Sequence, residues 1–317
     1  MQLIRHLPSP FKDARKSALT IGNFDGLHRG HLALIERAVA AGPEQVPSLM
    51  CFEPLPATFF QPDQPIRRVM KLRDRFAVCR ARGIQRFFQL HFNQKFAAQS
   101  PEEFIDEVVL AGAQAGHVIV GEDFRFGRRA AGNVDDLLRF GRQKNFDVSV
   151  VETVAGADGV RYSSTALRRA LANNDFKLAE QILGRPYRIS GRVLRGQQLG
   201  RRLGFPTINL RVPEPPVLSG VFAVTVKGEK LPRQNGIANL GKRPSVAGRD
   251  WLLEVHLLDF NGDLYGQHLG VDFIAKRRDE AHFERLDDMV VVMREDLRWA
   301  KQMFTPASER KAGTLAD

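Results

Sequence analysis

The feature that most narrows the choice of fold is a change of hydrophobic texture part-way along the chain. Up to Glu152, short apolar runs alternate with amphipathic stretches. Ser17–Ile21, Val46–Phe52, Ile84–Phe92, His117–Val120 and Val148–Glu152 read as strands. His28–Ala41, Leu72–Arg82, Pro101–Ala113 and a stretch from Asn133 to about Gln143 read as helices, with Ser100 and Asn133 as caps and Pro101 at a first helical position. Strands and helices in alternation build a parallel sheet covered on both faces. Two more helices, Ser164–Leu171 and Phe176–Leu183 with Asp175 as cap, end this half. From Tyr187 to Ile274 short strands and glycines take over, which predicts an antiparallel barrel or sandwich. Asn261-Gly262 between two apolar runs predicts a hairpin there. A long amphipathic helix is expected over His282–Met303, followed by a frayed polar end over Thr305–Asp317.

Length agrees with two domains: 317 residues exceed an ordinary single domain. The junction is expected near Leu183–Tyr187, giving domains 1–185 and 186–317. The formal net charge of +11 calls for an anionic partner and does not choose among nucleic acid, membrane surface and phosphorylated small molecules. Cys51 and Cys79 are too few for a disulfide framework or a cysteine-built metal site and read as small buried hydrophobes. The first residues lack the apolar core of a signal peptide, and no stretch reaches the length of a membrane span, so a cytoplasmic protein is expected.

The strongest local signal is Gly22-Asn23-Phe24-Asp25-Gly26-Leu27-His28-Arg29-Gly30-His31, joining the first strand to the first helix. The carboxyl end of a parallel strand is where open α/β sheets bind nucleotides. Gly22 and Gly26 permit tight turns and close ligand approach. His28 and His31, three apart, share a face of the helix start, where exposed N–H groups and the helix dipole favour a polyphosphate. Capping is the other role open to each histidine. Zinc is the weaker reading, because no third ligand lies nearby in sequence.

These residues match the G-x-F-D-x-x-H-x-G-H motif of the nucleotidyltransferase superfamily. The chain as a whole, over about residues 10–300, resembles one family within it, the bacterial bifunctional riboflavin kinases/FMN adenylyltransferases. Phe52-Glu53-Pro54 with Pro56 and Phe59, Gly121-Glu122-Asp123-Phe124-Arg125-Phe126-Gly127, and Ser163-Ser164-Thr165 with Arg168 resemble motifs of the adenylyltransferase module. Leu183-Gly184-Arg185-Pro186-Tyr187 resembles the junction. Gly204-Phe205-Pro206-Thr207-Ile208-Asn209, Glu254–Phe260 and Leu264-Tyr265-Gly266 resemble the kinase module.

The resemblance implies a Rossmann-like α/β domain followed by an antiparallel β-barrel with a long terminal helix. It implies two Mg²⁺-assisted steps with ATP as co-substrate: riboflavin to FMN in the second module, and FMN to FAD in the first. For adenylyl transfer it implies roles for His28 and His31, with Gly22, Phe24, Asp25, Gly30, Asp123, Ser163, Ser164, Thr165 and Arg168 at the ligands. For the kinase it implies Glu254 as base, Thr207 and Asn209 as metal ligands, and Gly191, Gly204, Pro206 and Arg278 around the substrates. The implied partners are riboflavin, FMN, FAD and ATP, with weak self-association and neither nucleic acid nor membrane.

Residue chemistry is compatible with both steps. The FMN phosphate is already anionic, so adenylyl transfer asks for positioning and charge stabilisation rather than a strong base. Phosphorylating a hydroxyl requires a proton to leave, for which a carboxylate is the usual device. In the strand Trp251–Leu258, Glu254 shares the mixed face with Leu252, His256 and Leu258, where a solvated glutamate is the other option. Thr207 and Asn209 face the same way in an extended segment and offer oxygen ligands, alongside Gly191, Gly196, Gly200 and Gly204 of a glycine-rich flap. No Walker loop is present. Ser163–Thr165 also suit simple capping, Asp123 a turn, and Arg278 a salt bridge at a helix start. Ala166 stands where the family often has a basic residue, Ile208 where it has alanine, and Lys276-Arg277-Arg278-Asp279-Glu280 where it has L-R-x-E. The positive charge falls in scattered pairs (Arg67-Arg68, Arg128-Arg129, Arg168-Arg169, Arg201-Arg202, Arg277-Arg278), which argues against a nucleic-acid stripe.

Overall fold

The structure is a computed structural model that describes residues 1–7, 11, 13–156, 159–196, 203–245 and 248–305. It divides into two compact units: Met1–Ile66 with Met70–Ala166, and Arg67–Val69 with the described residues from Leu167 onward.

The first unit is a parallel sheet of β1 (Gln2–Ile4), β2 (Lys16–Ile21), β3 (Gln45–Glu53), β4 (Arg86–His91), β5 (Ala115–Gly121) and β6 (Asp147–Val151), in the order β1-β4-β3-β2-β5-β6. Helices α1 (Arg29–Val39), α2 (Pro56–Phe60), α3 (Leu72–Ala81), α4 (Gln94–Ala98), α5 (Pro101–Glu103) and α6 (Val134–Lys144) connect the strands. The period of two along each strand sorts side chains into two cores. Leu19, Ile21, Met50 and Phe88 bury one face against Phe104, Val108, Leu137 and Phe140. Ala18, Leu49, Cys51 and Phe87 bury the other against Leu32, Ile35 and Cys79. Both cysteines are buried and neither is in a disulfide, and burial pushes the Cys79 thiol up to about 12, as expected of a packing residue.

The helix over Pro101–Ala113 differs in its hydrogen bonding. Ser100 and Glu103 form the capping box, but from Phe104 to Gly112 the backbone winds as a π-helix. A side chain at Gly112 would crowd Leu7 and the Glu107 carbonyl, so the wider winding is tolerated where the chain carries no Cβ.

In the second unit β7 (Arg188–Leu194), β8 (Ile208–Val212), β9 (Gly220–Gly228), β10 (Gln234–Ser245), β11 (Gly248–Leu257) and β12 (His268–Arg278) close into a barrel in the order β10-β11-β8-β7-β12-β9. Leu253, Val255 and Leu257 of β11 point into it, and each fully buried aliphatic chain contributes roughly 1.5–3 kcal/mol. Helix α7 (Ser164–Ala172) precedes α8 (Phe176–Leu183), whose Phe176 packs against Phe222 and Phe273 of the barrel. Asp175 caps α8 through the Leu178 N–H. The terminal helix is α9 (Leu286–Phe304). Residues 306–317 and the Gly200 and Arg201-Arg202 expectations lie outside the described residues.

The Asn261-Gly262 hairpin does not form. β11 pairs with β10 and β8, whereas β12 pairs with β7 and β9, so the two apolar runs that flank Asn261-Gly262 are not neighbours. Barrel closure inserts β12 between β7 and β9, and the connection crosses as a longer loop with turns at Asp259 (φ 51°) and Gly266 (φ 77°). No helix among the described residues is long and apolar enough to cross a membrane.

Candidate functional site

Two sites are present, one in each unit. The first lies at the carboxyl edge of the parallel sheet, beside the point where the chain, having laid β3 and β4 on one side of β2, places β5 on the other. The loop after β2 is bent hard: Phe24 (φ 48°), Gly26 (φ 84°) and Leu27 (φ 47°) all have left-handed backbones. Phe24 and Leu27 are fully buried, and that burial holds a conformation costing about 1–3 kcal/mol per non-glycine residue. The Gly22 N–H donates to the Met50 carbonyl at 3.1 Å, tying the loop to β3. A Cβ at Gly22 would sit 3.3 Å from the Phe24 ring, so Gly22 makes room for Phe24.

Asp25 is buried; its carboxylate accepts from the Met70 N–H at 3.3 Å and its carbonyl from the Ser164 hydroxyl at 2.9 Å. His28 caps α1, its Nδ1 accepting the His31 N–H at 3.3 Å, which leaves Nε2 as the protonated nitrogen of a neutral ring. The two imidazoles stack at 3.6 Å, and His31 also meets Phe24 at 5.0 Å. His31 Nδ1 is buried without a hydrogen-bond partner. Burial, then the neighbouring His28 and Arg75, hold the His31 pKa well below the ordinary range. Gly30 lets His28 lie flat: a Cβ there would be 3.2 Å from its ring. No acidic residue occupies the first turn of α1. Capping and anion binding, open alternatives from sequence, are thus compatible in His28.

Other expected residues are placed differently. Ser163 Oγ accepts the Ala166 N–H at 3.1 Å, a cap on α7, and Thr165 is exposed on that helix. Asp123 is exposed and paired with Arg161 at 2.5 Å. Arg168, in the second unit, donates through Nε to the Arg67 carbonyl at 3.0 Å.

Sequence reasoning missed an aromatic cavity of about 460 Å³ in the first unit. Phe52 at the end of β3, Phe60 of α2, Phe92 after β4, Phe96 of α4, Phe104, and Phe124 and Phe126 after β5 line it, with Arg125 and Arg129 at its wall. It opens at the same carboxyl edge as the histidine loop. The Phe124 and Phe126 rings stack at 5.6 Å. A run of phenylalanines after successive strand ends was the available signal.

The second site is on the outer face of the barrel. Register sets Asn209, Glu254 and Asn239 side by side on β8, β11 and β10. Glu254 and His256 line a cavity of about 250 Å³ with Thr207, Asn239, Arg278 and Asp296. Its apolar wall includes Phe205, Phe283 and, from α9, Met289, Met293 and Leu297. The His256 ring contacts the Pro206 carbonyl through Nδ1 at 2.8 Å, so Nδ1 donates and pins the segment carrying Thr207. Asn209 lies beside the cavity, with Gly196 against its amide; a Cβ at Gly196 would collide with it. Gly204 has φ 83° and open space around it, whereas Gly191 packs on Leu210. Ile208 pairs with Val255 in the barrel.

Arg278 lines the cavity but is already engaged. Nε and Nη2 donate to buried Asp296 of α9 at 3.0 and 2.7 Å, and Nη1 to the Asp279 carbonyl at 3.0 Å. The salt-bridge alternative is the observed one, with a partner deep in the helix rather than at its start.

Thr207 and Asn209 offer oxygens that fit a hard cation such as Mg²⁺, which takes a few protein oxygens and leaves positions for phosphate and water. No group of three or more His, Cys, Asp or Glu suited to a metal occurs among the described residues, which leaves the zinc reading of the histidine pair without support.

Comparison with known proteins bears on both sites. The FAD synthetase family model matches residues 11–166, and the riboflavin kinase family model matches residues 183–304. A bifunctional riboflavin kinase/FMN adenylyltransferase of Pseudomonas fluorescens is 43% identical over 319 residues, covering 98% of this chain and 100% of that one. Its counterpart in Escherichia coli (strain K12) is 40% identical, covering 96% and 98%. Among solved structures, a protein of Streptococcus pneumoniae described as a macrolide-efflux protein superposes with a TM-score of 0.74 at 26% identity, covering 91% of this chain and 95% of that one.

Proposed function

This chain belongs to the bifunctional riboflavin kinase/FMN adenylyltransferase family, and on that premise we propose which of its residues perform each half of the chemistry. The enzyme phosphorylates riboflavin with ATP to FMN and transfers AMP from ATP to FMN, giving FAD and pyrophosphate. Adenylyl transfer is assigned to 1–185 and phosphorylation to 186–317.

In the first, an oxygen of the FMN phosphate attacks the α-phosphorus of ATP as the bond to the pyrophosphate oxygen breaks. His28, His31 and the free N–H groups at the start of α1 stabilise charge on the triphosphate and the departing pyrophosphate. Ser164 and Asp25 hold the loop in shape, while Gly22, Phe24 and Gly30 make space for the rings. The aromatic cavity takes the flavin ring, which leaves its phosphate at the same strand edge as the histidines. Asp123, Ser163 and Thr165 complete the ligand surface.

In the second, Glu254 accepts the proton of the ribityl hydroxyl as its oxygen attacks the γ-phosphorus of ATP and ADP departs. The apolar wall of Phe283, Met289, Met293 and Leu297 receives the flavin. Thr207 and Asn209 would hold Mg²⁺, which supplies charge neutralisation for the phosphates; Gly204 and Pro206 shape that segment, Gly191 supports it, and Arg278 fixes α9. The reading takes the enzyme to be cytoplasmic, where ATP is supplied, with weak self-association.

The observation that carries the assignment is the row Asn209–Glu254–Asn239, which brings a carboxylate and oxygen ligands together at a flavin-sized apolar wall. Chromatography of FMN and FAD tests it. Glu254→Ala should stop FMN formation and leave FMN-to-FAD conversion intact, and His28→Ala with His31→Ala should do the reverse. If each variant, still folded, lost both activities, the assignment would be wrong.

A further inference from the structure

We propose that Arg75 is a positioning residue for adenylyl transfer: a buried cation beneath the histidine loop that fixes the loop and supplies positive potential to the polyphosphate site. The inference rests on the assignment of adenylyl transfer to that site.

Arg75 sits on α3 and is only 1% exposed, the bulkiest of the fully buried side chains. Taking a guanidinium out of water costs several kcal/mol unless its partners compensate. Here they do so poorly. Nη1 donates to the Asn23 carbonyl at 3.2 Å. Nη2 is 3.8 Å from the Glu53 carboxylate, well beyond the 2.7–2.9 Å usual for a charge-assisted bond, and that carboxylate is 44% exposed. Nε is buried with no partner. A residue kept for stability alone would be better replaced by a hydrophobe of similar volume.

What Arg75 touches belongs to the site. Asn23 is in the loop between β2 and α1 and precedes the left-handed Phe24, Gly26 and Leu27. A hydrogen bond to its carbonyl therefore holds a segment whose backbone has reason to relax. Burial foremost, then His28 and the charge of Arg75, lower the proton affinity of His31 in this low-dielectric interior. The other ionisable groups facing this region are Asp25 on the loop, Glu53 at the end of β3, Cys51 on β3 and Cys79 on α3. Arg75 is a cation that lies wholly inside. Fixed positive charge placed where negative charge develops needs no reorganisation during reaction.

The test compares the intact enzyme with Arg75→Met, Arg75→Gln and Arg75→Lys, measuring FAD formation from FMN, FMN formation from riboflavin, thermal unfolding, and the His31 titration by NMR of ¹³C-histidine protein without nucleotide. Arg75→Met and Arg75→Gln should lower kcat for FAD at least tenfold, leave riboflavin phosphorylation unchanged, and raise the His31 midpoint. Arg75→Lys should keep that midpoint and recover most of kcat. Wild-type kcat in a neutral variant would overturn the proposal. So would equal losses in all three variants with His31 unmoved, which marks a packing role. If Arg75→Met fails to melt cooperatively, the near-isosteric Arg75→Gln decides by the same readouts. A wild-type enzyme that makes no FAD would instead refute the assignment of the site.

Discussion

Replacing Gly30 by alanine separates what the helix start of α1 does for stability from what it does for chemistry. Alanine in place of glycine within a helix is ordinarily favourable by about 1 kcal/mol. At Gly30 the added Cβ would lie 3.2 Å from Cε1 and Nδ1 of His28 and 3.5 Å from the Tyr162 carbonyl oxygen. The first distance is a few tenths of an ångström too short, and the ring has little room to yield. It is stacked on His31 at 3.6 Å, and its Nδ1 accepts the His31 N–H at an already long 3.3 Å. Moving it forfeits the cap, worth about 1 kcal/mol. Gain and loss nearly cancel, so the urea midpoint should stay close to that of the parent protein. Turnover is another matter, because displacement of a positioning group by about 1 Å can lower a rate roughly 100-fold. Pyrophosphate release from ATP and FMN should fall roughly 10–100-fold, while the same preparation phosphorylates riboflavin normally. A Gly30→Ala enzyme that makes FAD at the parent rate would show that the His28 ring position is irrelevant to adenylyl transfer.

Phe60 is 62% exposed at the rim of the aromatic cavity, so Phe60→Ala should leave thermal stability unchanged and raise KM for FMN several-fold; an unchanged KM would remove the flavin from that cavity. Cys51 and Cys79 should resist a thiol reagent in native protein and react at once in guanidinium; rapid native labelling would contradict their burial. Because the folded state holds His31 below its ordinary pKa of 6.5, the unfolded state binds the extra proton. The stability it contributes is therefore complete above about pH 6.5 and declines as pH falls toward the lowered folded value. A urea midpoint that drops between pH 7 and pH 5 by less in His31→Gln than in the parent is the expected result; equal drops would exclude His31 as a source.

Local signals were the legible ones. The caps at Ser100, Asn133 and Asp175 were readable because a capping side chain bonds an amide three residues on, within one turn of sequence. The face of β11 that carries Glu254 followed from alternation alone. What failed was pairing between distant segments. Asn261-Gly262 has the composition of a tight hairpin, but closure of the barrel decides the neighbours of β11 and β12, and no local window contains that information. The aromatic cavity draws on three separate stretches of chain, 52–60, 92–104 and 124–130, and Asp296 finds Arg278 across 18 residues of loop and helix. Arg75 was legible in part. Leu72, Arg75, Phe76 and Cys79 follow helical spacing, which puts the arginine on the buried stripe. The neighbouring Arg73, Arg80 and Arg82 disguised it as one more surface charge.

The strand orders of the two units carry a consequence for synthesis. Every strand of the parallel sheet has left the ribosome once Val151 has, and the sheet can close its hydrogen bonds from that point. The barrel is different in kind: β7 and β9 each lack a neighbour until β12 arrives, so the row Asn209–Glu254–Asn239 is held by an incomplete cylinder until His268–Arg278 is made. Domains tend to fold as units in order of emergence. The part of the chain that catalyses the later reaction is therefore ready first, and the part that feeds it matures last. A nascent chain interrupted before β12 should already convert FMN to FAD while remaining unable to make FMN.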